Sequence, residues 1–298
     1  LDCSELTKVN TVDLWFLTLP KPHKNIEDLS STVAIDHSYL INQARPLLNE
    51  EELAKAMRYR QPLARMHAIY IRAFLRVTLS RYARVRPNEW CFEYGEKGKP
   101  YLCRAQRQQT SLVFNLSHSG DQVLLAVTQT ADQKIELGVD IESEREDLSF
   151  NTIMDNYFQP QEIESLMRLD LADQRRRFFD LWVLKESYIK ATGLGLAQPL
   201  KSFGFGFSSS KKQHLSLFDE KQVSAQPLEL ITGIVLNTLN DKAAKDEDWS
   251  KQAEGQMWST CLGRLSSSYR FGLMVKGRKL DISSIYARKV SIENLLNR

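Results

Sequence analysis

From Leu137 to Glu142 the chain reads Leu-Gly-Val-Asp-Ile-Glu, with apolar residues at every second position and Gly138, Asp140 and Glu142 between them. A period of two is that of an extended strand. It predicts one buried face and places Asp140 and Glu142 side by side on the other. Further along, the run Phe178 to Lys190 changes to helical spacing and is closed by Gly193, a residue suited to the left-handed stop at a helix C-terminus. On that helix Leu181, Leu184 and Tyr188 point one way, while Glu186 and Lys190 share nearly the opposite side.

Two neighbouring ionised carboxylates repel unless a cation lies between them or one keeps its proton. Small, oxygen-seeking Mg²⁺ suits such a pair, and a helix carrying Glu186 and Lys190 could serve the same phosphate–metal centre. Taken singly, Asp-x-Glu at a strand end and Glu-x-x-x-Lys on a helix are ordinary solvated features, so the rest of the chain must decide.

With 298 residues and 42% hydrophobic content, the chain is one large domain or two of ordinary size. No apolar run approaches the roughly 18 residues of a membrane span, and Leu1 to Glu5 lacks the basic and apolar regions of a secretory leader. The expectation is a cytoplasmic protein. Cys3, Cys91, Cys103 and Cys261 show no Cys-x-x-Cys pairing, which predicts reduced thiols rather than a disulfide frame or a zinc site. A net charge of +3 falls short of a dedicated nucleic-acid binder and fits an anionic small substrate or an acidic partner.

In chain order, Val12–Leu17 predicts a first strand, and residues 21–46 give no regular pattern. Asn49 is a suitable N-cap for a helix whose first turn holds Glu50, Glu51 and Glu52, with Lys55 and Arg58 on a shared face. Pro62 interrupts it, and a second helix begins near Ala64 with Arg65, Arg72, Arg76 and Arg81 along it. Trp90–Tyr94 is read as a short strand before the Gly-rich turn Gly95–Pro100. Strands at Ser111–Leu116 and Val123–Thr128 are joined by Ser117-His-Ser-Gly120, read as a turn. Adjacent Ser117 and His118 cannot face each other as nucleophile and base, and a phosphate contact is the more natural role.

Thr130–Glu136 is read as a connection between two halves, residues 1–131 and 132–298. Helices are expected near Pro160–Leu169 and Gln174–Thr192, and strands near Phe203–Phe207, Ile231–Leu236, Tyr269–Val275 and Leu280–Ile285. The stretch 241–256, dense in Lys, Asp, Glu and Ala, is read as an exposed insertion. An internal echo appears at an offset of 110 residues: Glu52, Met57, Arg58 and Arg65 recur as Glu162, Met167, Arg168 and Arg175. This predicts two similar α+β halves, with Arg72 or Arg76 of one and Glu186 of the other turned toward a cleft between them.

Four motifs occur in order: Gly98-Lys-Pro100; Phe114-Asn-Leu-Ser-His-Ser-Gly120; Gly138-Val-Asp-Ile-Glu142; and Phe179-x-x-Leu-Trp-x-x-Lys-Glu-Ser-x-x-Lys190-Ala-x-Gly193. Together they resemble the 4′-phosphopantetheinyl transferase superfamily, in its larger pseudo-dimeric form, over roughly residues 50–205. The resemblance implies two halves related by a pseudo-twofold with the active site between them. It implies transfer of the phosphopantetheine arm of coenzyme A to a serine of an apo acyl or peptidyl carrier protein, with release of adenosine 3′,5′-bisphosphate. Asp140, Glu142 and Glu186 would hold Mg²⁺; Glu186 would also act as base, and Lys190 would steady the diphosphate. Lys55, Arg58, Arg65, Lys99, Ser117, His118 and Lys185 would contact coenzyme A. The run Arg86–Tyr94 with the following Gly-Lys-Pro is similar to transferases that serve polyunsaturated fatty acid synthases. Partners implied are coenzyme A and carrier domains of fatty acid, polyketide or peptide synthases, served by a monomer.

The chemistry agrees with the residues. Phosphoryl transfer needs in-line positioning and charge neutralisation more than a protein nucleophile, and the chain has no Walker loop or dinucleotide fingerprint. Two other classes compete: a non-catalytic adaptor that binds acidic carrier helices, and a Mg²⁺-dependent nuclease. Intact acidic residues disfavour the first, and the modest charge disfavours the second.

Overall fold

The computed structural model describes residues 10–21, 31–131, 134–145, 149–238 and 257–296. The first half opens with strand β1 (Val12–Thr18) and helices α1 (Ser31–Ala44), α2 (Glu50–Met57) and α3 (Pro62–Leu79). The small hairpin β2 (Phe92–Tyr94) and β3 (Pro100–Leu102), helix α4 (Arg104–Thr110) and the hairpin β4 (Leu112–Ser119) and β5 (Gln122–Gln129) complete it. The second half begins with β6 (Glu136–Ser143), followed by α5 (Asn151–Tyr157), α6 (Pro160–Met167) and α7 (Leu171–Thr192). Strands β7 (Phe203–Gly206), β8 (Lys211–Asp219), β9 (Ser224–Thr232) and β10 (Val235–Thr238) come next. Then follow β11 (Trp258–Arg264), β12 (Tyr269–Lys276), β13 (Ile285–Val290) and α8 (Ile292–Leu296).

Nine strands form one mixed sheet in the order β4-β5-β1-β13-β8-β9-β11-β12-β6. Period-two alternation divides β1 between two cores and gives β6 one apolar and one polar face. Val12, Leu14 and Phe16 of β1 enter an interior shared with Leu137, Val139 and Ile141 of β6, while Trp15 and Leu17 pack outward under α1 and α3. Phe16 meets Phe271 of β12 across that interior, ring centroids 5.2 Å apart. The sheet therefore curls until its edges, β4 and β6, lie together. No backbone ladder joins those edges; side chains of β4 do, as described below.

The halves share an arrangement. In each, three antiparallel strands (β1-β5-β4 and β6-β12-β11) lie beside a long helix (α3 and α7) preceded by a short one. Both short helices start with reciprocal capping boxes, Asn49 with Glu52 and Gln159 with Glu162. Both box glutamates are buried and reach a buried cation on the long helix: Glu52 Oε2 lies 2.8 Å from Arg76 Nε, and Glu162 Oε2 lies 2.8 Å from Lys185 Nζ. The glutamates of the 110-residue echo are thus structural in both places. β13 crosses back to run parallel to β1, so the end of the chain packs into the first half's core through Val290, Ile292 and Leu295.

Several expectations change. Residues 31–44 form helix α1, and α4 and α5 are added. β4 runs through Ser119, so Ser117 and His118 belong to the strand and the turn falls at Gly120–Asp121. The polar residues read as a turn continue the strand's alternation: Ser117 and Ser119 face the other sheet edge, and His118 between them faces the opposite way. A single 3₁₀ turn at Ile282–Ser284 replaces most of the strand expected at Leu280–Ile285, and β13 starts where that strand was to end. β11 and the polar strand β8 gave no period-two signal strong enough to read. The insertion at 241–256 and Cys3 lie outside the described residues. Cys91, Cys103 and Cys261 are free thiols.

Candidate active site

Two features bring α7 onto β6. Gly138 sits beneath the helix, and a Cβ there would fall 2.1 Å from Ser187 O; at Gly272 of β12 it would fall 2.7 Å from Ser187 Oγ. With side chains absent at both points, the helix backbone lies directly on the two strands. α7 is consequently buried around most of its girth. Between Phe178 and Ala191 the only partly exposed positions are Trp182, Glu186 and Lys190, one stripe at four-residue spacing, and it opens beside Asp140. The left-handed Gly193 (φ 74°) ends the helix just beyond.

Asp140 is 3% exposed. Its Oδ1 accepts hydrogen bonds from Ser117 Oγ at 2.8 Å and Lys190 Nζ at 2.5 Å, and Lys190 also donates to Ser117 Oγ at 2.7 Å. Asp140 Oδ2 is buried without any hydrogen-bond partner. A buried, unpaired carboxylate oxygen is costly, and this one marks a place where a ligand is wanted. Burial, and then the charge of Asp140, push the Glu186 carboxyl up to about 7, against the pull of Lys190. Burial and Asp140 likewise raise Glu142, opposed by a hydrogen bond from Ser119. Asp140 thus acts on both Glu142 and Glu186, and Glu142 acts on Glu186, so the three carboxylates repel one another. Among the described residues no three such side chains already stand at ligating distance of one another, and Lys190 holds Asp140 instead. The donor set, all oxygen with one orphaned oxygen, fits a hard divalent cation.

A cavity of about 240 Å³ is lined by Arg72, Pro100, Ser117, His118 and Lys190. Arg72 and His118 also line a neighbouring cavity of about 360 Å³, which extends past Tyr94 and Tyr59 to Lys55. The two share Arg72, Leu116 and His118 and so form one groove, with Lys55, Glu51 and Glu52 toward one end and Ser117 and Lys190, the partners of Asp140, at the other. Burial, and then the cations Lys190 and Arg72, lower the pKa of His118, favouring a neutral ring that donates a hydrogen bond without adding charge.

Other expected contacts lie elsewhere. Lys185 is fully buried, donating to the carbonyls of Leu200 and Phe203 at 3.0 and 2.7 Å and paired with Glu162, so it does not reach the groove. Lys99 Nζ ties β6 to the end of α7 through the carbonyls of Leu137 (3.1 Å) and Ala191 (2.7 Å); burial lowers its pKa to about 8. It faces a separate cavity with Lys134, Glu136 and Lys276. The Ser117 hydroxyl is engaged by Asp140, Lys190 and the Ile141 N–H, so it orients the site rather than meeting a substrate phosphate. Arg58 is exposed at the end of α2, outside the groove lining, and Arg65 bonds the Tyr59 carbonyl at 3.1 Å. Arg72 and Arg76, one turn apart, part company: Arg72 lines the groove, whereas Arg76 is spent on Glu52 and the carbonyls of Pro87 and Trp90. Ser119 escaped the sequence reading; the polar alternation Asn115, Ser117, Ser119 was its signal.

The chain is similar in sequence to known proteins of one family. A sequence model of the 4′-phosphopantetheinyl transferase superfamily matches residues 136–243, and one for the N-terminal part of 4′-phosphopantetheinyl transferase matches residues 37–130. The 4′-phosphopantetheinyl transferase HetI of Nostoc sp. is 33% identical over 187 residues, covering 63% of this chain and 70% of that protein. The transferase psf-1 of Bacillus pumilus is 31% identical over 182 residues (61% and 73%). Sfp of Bacillus subtilis is 33% identical over 129 residues (43% and 53%).

Proposed function

The chain belongs to the 4′-phosphopantetheinyl transferase superfamily, and we propose that it moves the phosphopantetheine arm of coenzyme A onto a serine hydroxyl of an apo carrier protein. The observation that carries this reading is the groove itself: Lys55, Arg72 and His118 lead to Lys190, which holds Asp140, whose other oxygen, Oδ2, lacks a partner. A diphosphate with a nucleotide at one end matches that order of charges.

In this reading Asp140, Glu142 and Glu186 would hold Mg²⁺, which when bound would supply neutralisation of diphosphate charge. Arg72 and His118 bind the diphosphate, and Lys55 the 3′-phosphate. Glu186 accepts the proton of the incoming serine hydroxyl as its oxygen bonds to the phosphorus of the pantetheine side. The bond to the other phosphate breaks, and adenosine 3′,5′-bisphosphate leaves. Two of the three Lys190 ammonium protons go to Asp140 and Ser117, leaving one for a diphosphate oxygen. The residue halves 1–131 and 132–298 would be related by a pseudo-twofold, a monomer building the whole cleft. The segment Arg86–Tyr94 directs the substrate proposal to carrier domains of the polyunsaturated fatty acid type.

The test is mass spectrometry of apo carrier proteins from fatty acid, polyunsaturated fatty acid, polyketide and peptide synthases after incubation with coenzyme A and Mg²⁺. Gain of one phosphopantetheine supports the transfer, and preference within the panel decides the carrier class. No gain on any carrier refutes the reading.

A further inference from the structure

The edges of the nine-stranded sheet meet through a repeated side-chain unit. Asn115, Ser117 and Ser119 occupy alternate positions of β4, and each accepts the backbone N–H of an alternate residue of β6: Val139 at 2.9 Å, Ile141 at 3.3 Å and Ser143 at 3.3 Å. The two hydroxyls then do something the amide does not. Ser117 Oγ donates to Asp140 at 2.8 Å, and Ser119 Oγ donates to Glu142 Oε2 at 2.9 Å. Each serine thus grips one carboxylate of β6 and the N–H of the next residue. At Asn115 the corresponding position on β6 is Gly138, which has no side chain to hold. Register does this: both strands have a period of two, so one match repeats along the seam.

We propose that Ser119 is a positioning residue for Glu142, fixing its side chain toward the metal basin while the same hydroxyl closes the seam between the halves. The inference rests on the transferase reading. Glu142 is longer than Asp140 and only partly buried, and Ser119 is its hydrogen-bond partner on the facing strand. A carboxylate held in its ligating rotamer loses less freedom on binding a cation, which is why partners behind metal ligands affect affinity.

The experiment compares Ser119→Thr with Ser119→Val, two side chains of one shape that suit a strand and differ by a hydroxyl. Mg²⁺ affinity is measured by titration calorimetry with coenzyme A present, and melting temperature is followed in parallel. Ser119→Thr is expected within about threefold of the wild-type Mg²⁺ affinity, and Ser119→Val about tenfold weaker. Asn115→Ala breaks the seam where no carboxylate is held; it should lower the melting temperature and leave Mg²⁺ affinity within about twofold. Equal affinity in the Thr and Val variants, or an equal loss in Asn115→Ala, overturns the proposal. If the wild-type protein with coenzyme A takes up no Mg²⁺, the metal assignment itself fails, and Ser119 has nothing to position.

Discussion

Lys190 Nζ stands 2.5 Å from Asp140 Oδ1 and 2.7 Å from Ser117 Oγ, so a helix and a strand of the second half meet an edge strand of the first at one ammonium group. Lys190 is partly open to the groove while Asp140 is almost fully enclosed. The lysine therefore compensates a buried charge and still faces whatever enters.

Replacing Lys190 by Ala should lower kcat/KM for coenzyme A by about 10²–10³-fold, the usual cost of losing one donor to developing charge. Asp140→Ala should abolish transfer while the protein keeps its fold by circular dichroism. Carrier mass gain measures both, and full activity in Asp140→Ala would refute the metal assignment.

The Glu186 carboxyl, raised to about 7, sets a pH dependence. At that value it is roughly nine-tenths protonated at pH 6 and nine-tenths ionised at pH 8, so Mg²⁺ should bind about tenfold more tightly at pH 8 by calorimetry. Metal-free stability moves the other way. The folded protein holds a proton that the unfolded chain releases near its ordinary 4.5, so the Glu186 contribution is full below that pH and is lost as pH rises through about 7. Glu186→Gln should flatten both the affinity difference and this part of the melting profile. An unchanged melting profile in that variant would count against the burial argument.

Lys185 and Lys190 lie on the same helix but should fail differently. Lys185→Met leaves Glu162 buried without its cation and is expected to cost about 3–5 kcal/mol in urea unfolding, with KM for coenzyme A unchanged in the folded fraction. A raised KM with normal stability would return Lys185 to the substrate site.

Arg72 lines both cavities of the groove. Arg72→Ala should raise KM for coenzyme A about tenfold, ~1.4 kcal/mol of binding, with kcat within about threefold. Steady-state kinetics at several salt concentrations checks it, because a phosphate contact should lose part of its effect as screening increases.

Much of this was legible along the chain. The alternation at Leu137–Glu142 set which face of β6 carries Asp140 and Glu142, and helical spacing put Glu186 and Lys190 on one stripe. Asn49 announced α2 through its cap, and Pro62 fell at the first turn of α3. Less legible was β4, where Ser117 and His118 resembled a turn because the partners of Ser117, Asp140 and Ile141, lie 23 and 24 residues away on a strand at the opposite edge of the sheet. The mixed composition of α7 also hid its burial: Asp180, Lys185 and Ser187 are polar yet enclosed, each satisfied by a partner.

The sequence by itself determined the local faces, since backbone geometry alone sets periods of 2 and 3.6. It also carried the order of motifs that marks the family. Only the tertiary structure decided which cations stay open to the groove. Whether a lysine or arginine stays available depends on whether folding brings it a buried acid, as Glu162 does for Lys185 and Glu52 for Arg76, and no spacing along the chain reveals that meeting. The same holds for the seam between β4 and β6, which exists because a curled sheet brings its two ends together.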